Sequence, residues 1–104
     1  TLLTQPRKFE GASSQQLREF FSDPANFADR SILDIERDIG IYSGSYDWDR
    51  GRCFYEWNRP DLHVTVESQG SSKTTSVSFL DPRKRNAKTE MAWQRPEIEM
   101  EAKN

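Results

Sequence analysis

Three groups of side chains in this 104-residue chain have the types and spacing to do chemistry or recognition. The first is the aromatic set Tyr42, Tyr46, Trp48 and Phe54, bordered by Arg52, Glu56 and His63. Rings with charges at their margin make interaction surfaces, because Tyr and Trp bury much area at small entropic cost. The second is the run Asp81-Pro82-Arg83-Lys84-Arg85-Asn86 with Lys88, the one dense basic stretch. Here Arg83, Lys84, Arg85 and Lys88 are the candidate phosphate contacts, and Trp93 or Tyr46 could stack a base from the same side. The third is His63, the single histidine, which with Glu56 and Ser78 has the residue types of a Ser–His–carboxylate arrangement.

Each group has a plainer reading. The aromatic face is equally well explained if the N-terminal arm, the 31–37 segment or a curled sheet edge covers it. The basic run reads as a solvated hairpin loop whose charges discourage edge aggregation. His63 reads as a solvent-facing cross-strand neighbour of Glu56, since a flat, wet sheet face offers no oxyanion hole. A catalytic site is therefore not expected.

Other chemistry is poorly supplied. Cys53 is the sole cysteine, so an internal disulfide is excluded and a zinc site of the usual kind has no ligands. Asp23, Asp29, Asp34, Glu36 and Asp38 lack the spacing and glycine of a calcium loop. No glycine-rich phosphate cradle occurs, and no cofactor or metal is expected. A formal charge of -2 argues against wholesale nucleic-acid binding, while leaving a local contact at residues 83–88 open. No apolar run is long enough for a membrane span and no signal-peptide pattern opens the chain, so a cytoplasmic location is the default expectation. Thr1 leaves a processed N-terminus open.

What must position these side chains is a sheet. From Arg52 to Trp93 apolar residues fall on alternate positions: Cys53, Tyr55, Trp57; Leu62, Val64, Val66; Val77, Phe79; Met91, Trp93. Such alternation marks half-buried antiparallel strands. Candidate strands are 39–48, 52–58, 62–68, 73–80 and 87–93, with 97–102 as a sixth or as an arm that pairs with another copy. Turn residues separate them, among them Asp49-Arg50-Gly51 and Asn58-Arg59-Pro60-Asp61. Upstream, residues 1–10 read as an arm or edge strand. Ser13 with Gln16 forms a capping box before Leu17, Phe20 and Phe21, and Asp23-Pro24 starts a second short helix carrying Phe27 and Ala28. Residues 31–37 read as a strand.

The expected fold is α+β: one domain, 1–104, with an arm at 1–10, a helical part at 12–30 and an antiparallel meander at 39–102. Two short helices then pack on one face of a five- to six-stranded sheet. The expected register pairs Trp57 with Leu62, Tyr55 with Val64 and Cys53 with Val66, then Val64 with Val77 and Val77 with Met91. Glu56 then faces His63, and Arg52 faces Glu67. A three-residue loop at 49–51, with Gly51 left-handed, places Ile39, Ile41, Ser43 and Ser45 on the core face. Tyr42, Tyr46 and Trp48 then join Phe54 outside.

The function this favours is a non-catalytic interaction or assembly module that binds a protein partner or a second copy of itself. The contact is the outer aromatic face or a sheet edge. The order of strand, two short helices and long meander also resembles that of helix-grip proteins, a likeness of element order rather than of motif. That resemblance implies a carrier of a small apolar ligand, although no long C-terminal helix is present here to close the cavity. Nucleic-acid contact through the 83–88 loop is the third expectation.

Overall fold

The computed structural model describes residues 11–70 and 73–96. The expected arm at 1–10 and sixth strand at 97–102 lie outside the described residues. Helix α1 (Ser14–Phe20) starts at the expected capping box, in which the Ser13 hydroxyl accepts from Gln16 N and the Gln16 side chain accepts from Ser13 N. Asp23 caps a single 3₁₀ turn, Pro24–Asn26.

The segment at 31–37 is a correction: it is helix, not strand. Helix α2 (Ile32–Ile39) is capped by the Ser31 hydroxyl, which accepts from Asp34 N, and ends at Gly40 with φ 97°. Ile32, Ile35 and Ile39 recur at helical spacing and are all buried. Their burial on one stripe overrides the weak helix preference of branched side chains.

Five strands follow in the order β1 (Gly44–Asp47), β2 (Arg52–Arg59), β3 (Leu62–Gln69), β4 (Lys73–Leu80) and β5 (Glu90–Gln94), each antiparallel to the next. The expected first strand, 39–48, shrinks to four residues because α2 claims Ile39. The alternation held its phase, but the pairing slides by two residues. Trp57 faces Val64 and Tyr55 faces Val66, since β2 runs on to Arg59 and leaves only Pro60 and Asp61 to turn. Val66 likewise faces Val77, and Val64 faces Phe79. A slide of two keeps every side chain on its expected face, so the core survives it. Bulges between Glu67 and Ser68 and between Val77 and Ser78 break the ladder twice. The second turns Met91 outward opposite Ser78, correcting its expected core position, while Trp93 faces Val77.

The helices roof one sheet face. Leu17, Phe21, Phe27, Ile35, Trp57, Leu62, Val64, Val66 and Val77 are all but inaccessible to water. Rings step through this core at contact distance: Phe21 to Trp57 at 5.9 Å, Phe21 to Phe27 at 5.3 Å, Phe27 to Trp93 at 5.2 Å. The Trp57 indole N–H donates to Gly40 O at 2.9 Å, tying the end of α2 to the sheet. Arg59 ties the residues before α1 to the same strand, donating through Nε to Ala12 O at 2.8 Å. Its guanidinium lies beside Gly11, whose φ of 123° favours glycine.

Candidate functional site

The roof stops short of the first hairpin. Trp48 N donates to Arg52 O at 2.7 Å, and the three residues between them turn with Arg50 and Gly51 both left-handed. The loop is pinned from the side: Gln69 Nε2 donates to Arg50 O at 2.5 Å and Gly70 N to Gly51 O at 2.9 Å. This geometry sets Tyr46 opposite Phe54, as expected, on the face away from the helices. Their rings stack in parallel, 4.8 Å apart and 9° from coplanar. Trp48 continues the row at 58% exposure, against 46% for Tyr46. Arg52 borders it, reaching Glu67 at 3.6 Å although the ladder sets it opposite Gln69.

Tyr42 does not belong to this row. Its ring packs on Tyr55 at 5.0 Å and on Trp57 at 6.1 Å, at the margin of the core. The reason is local. Ser43 N donates to Glu56 O while Gly44 is the register partner of Glu56, so two residues meet one and the alternation reverses upstream. Ser43 also accepts from Asn58 N through its hydroxyl, and Ile41, expected in the core, is 63% exposed.

Cys53 is half-buried rather than packed in the core; burial and a hydrogen bond with Asp47 push its thiol up. Tyr55 is pushed up to about 12, chiefly by burial and then by the neighbouring Cys53. These groups keep their protons at neutral pH and offer no activated nucleophile there.

His63 lies beyond Glu56 on the same outer face, toward the opposite end of β2 from Trp48, and Asn58 rather than Glu56 sits across from it. His63, Glu56 and Ser78 do share a shallow cleft of about 310 Å³. The Ser78 hydroxyl lies 4.0 Å from Met91 Sδ, and no hydrogen bond joins the three. Among the described residues no group of three or more His, Cys, Asp or Glu side chains could hold a metal ion. No described helix is long and apolar enough to cross a membrane.

The basic loop separates into two parts. Arg83 is held by Asp81, through Nε and Nη2 at 3.1 Å each, and the Asp81 carboxyl is lowered to about 2 by those bonds. Lys84, Arg85 and Lys88 instead line a cleft that also takes in Arg18 of α1.

Two arginines were not singled out by sequence. Arg18 joins the loop only through the fold. Arg95 is 4% exposed; it donates to Thr74 O at 2.9 Å, Ala28 O at 2.6 Å and Asp29 at 3.0 Å, lashing the end of β5 to the loop before α2. No family model, curated protein or solved structure matches this chain.

Proposed function

We propose that this chain is a non-catalytic assembly module in which two copies join through the edge of β1 and its aromatic row. The parallel Tyr46–Phe54 stack, standing on a strand edge that no described residue pairs with, carries the reading. Gly44, Tyr46 and Trp48 direct their main-chain groups to β2, so Ser45 and Asp47 direct theirs outward. A two-fold axis through Tyr46 lets Ser45 of one copy bond Asp47 of the other while keeping outer faces together. Tyr46 then meets its counterpart in a close, non-hydrogen-bonded pair, giving a row of four rings across the joint.

The same register seats each Trp48 over Gly44 of the second copy. A glycine there leaves room for the indole, and self-complementarity is what a two-fold interface requires. Shifting to a pairing about Asp47 would oppose like charges; shifting about Ser45 would place Trp48 against the inward-turned Tyr42.

Gly44→Val provides the test. Among the described residues of a single chain, a Cβ at this position meets only Glu56 Oε1, at 3.9 Å, so the fold accommodates it. Sedimentation equilibrium should give twice the 12.1 kDa chain mass for the unaltered protein and a monomer for Gly44→Val, with unchanged circular dichroism. A monomeric unaltered protein, or a Gly44→Val variant that dimerises equally well, overturns the proposal.

A further inference from the structure

The cleft between α1 and the β4–β5 loop has a charge pattern unrelated to the dimer edge. It encloses about 400 Å³, the size of a small-molecule site. Arg18 forms one wall, its guanidinium 5.2 Å from the centre of the Phe79 ring. The loop forms the other, with Lys84, Arg85 and Lys88. Among the described residues none of these four cations has a carboxylate at ion-pair distance.

The two carboxylates that also line the cleft do not cancel them. Asp81 is already occupied by the fork of Arg83, which leaves Glu90 as the one acid without an ion-pair partner there. Asn86, at φ 59°, and Thr89 add neutral hydrogen-bonding groups between the charges. The face of Phe79 holds the Arg18 guanidinium at the cleft wall, and a guanidinium suits phosphate oxygens. A concave site with this excess of cations over acids takes an anion of matching charge.

We infer that this cleft binds a small ligand carrying two or more adjacent phosphates, with Arg18 on one side and Lys84, Arg85 and Lys88 on the other. A single phosphate, about −1.5 to −2 at neutral pH, leaves part of that excess unneutralised. A bridging ligand draws on charge-assisted contacts from each.

Titration calorimetry with inorganic tripolyphosphate at low salt tests it, with inorganic phosphate and a single-stranded oligonucleotide as comparisons. Saturable tripolyphosphate binding is expected, with the amide signals of Arg18 and Thr89 shifting in the unaltered protein. The Lys84→Ala/Lys88→Ala variant should bind roughly tenfold more weakly, the loss expected when charge-assisted contacts go. Arg37→Gln, on the exposed side of α2, should bind as the unaltered protein does. Absence of saturable binding overturns the inference, and so does equal weakening by Arg37→Gln, which would mean attraction to the whole molecule. Inorganic phosphate binding as tightly as tripolyphosphate removes the requirement for adjacent phosphates. Oligonucleotide binding without tripolyphosphate binding assigns the loop to nucleic acid instead.

Discussion

Trp48 and Trp57 belong to one hairpin and meet opposite surroundings. Trp57 is inaccessible to water, touches Phe21 and Tyr42, and has its indole N–H satisfied by Gly40 O. Trp48 is 58% exposed, and among the described residues no hydrogen bond or ring contact holds its indole. The sheet face accounts for the difference: Trp57 points to the face that the two helices cover, and Trp48 to the face away from them. The same residue type thus serves the core where a roof exists and is available for contact where none does. Burial, not residue identity, separates structure from surface here.

The sharpest way to break this contrast is to remove each ring in turn. Trp57→Ala should cost about 3–5 kcal/mol, the range for a large aromatic lost from a packed interior, and chemical denaturation should show it. Next comes Arg95→Met, which removes a donor from the carbonyls of Thr74 and Ala28, leaving Ala28 O with Thr74 N. A loss of about 2–3 kcal/mol is expected, with Arg95→Lys failing to restore it because an ammonium lacks the planar fork. The exposed partner, Asp29, should matter far less than Arg95 itself.

Trp48→Ala should leave unfolding within about 1 kcal/mol of the unaltered protein, as surface changes do. It should weaken dimerisation by about tenfold or more, as loss of a central aromatic contact does. If Trp48→Ala unfolds the chain instead, the ring is structural and the contrast fails.

The pH responses are smaller and sharpen the boundary of the roof. Burial holds Tyr55 as the neutral phenol, raising it from 10.0 to about 12. Its contribution is therefore complete below pH 10.0 and disappears as pH climbs toward about 12, which phenolate absorbance and denaturation can follow together. The least effect concerns Asp81, whose fold-state value of about 2 lies below its ordinary 3.8. The Arg83 contact should persist above 3.8 and fade as pH falls through about 2, visible in the Asp81 carboxyl signal with no change in the core.

Much of this was legible in the residues, for identifiable reasons. Alternation gave the correct face for Tyr46, Phe54, Trp57, Val64 and Val77, because side-chain parity is local to a strand. It did not give the pairing partners: sliding by two preserves parity, and only the length of the Pro60-Asp61 turn distinguishes the registers. Ile32, Ile35 and Ile39 carried a helical stripe behind a Ser31 cap, which their branched side chains disguised as strand. Tyr42 and Met91 went astray at irregularities that no spacing announces. Arg18 and Arg95 acquire their roles from neighbours distant in the chain, so nothing local marks them.

The central claim is that the bare edge of β1 meets itself about Tyr46. Isotope-filtered NMR on a mixture of labelled and unlabelled chains tests it directly. The account predicts intermolecular contacts between the Tyr46 α-protons of the two copies, and between the Trp48 ring and Gly44. A dimer whose intermolecular contacts come from β5 or the helices, or a sample with none, contradicts it.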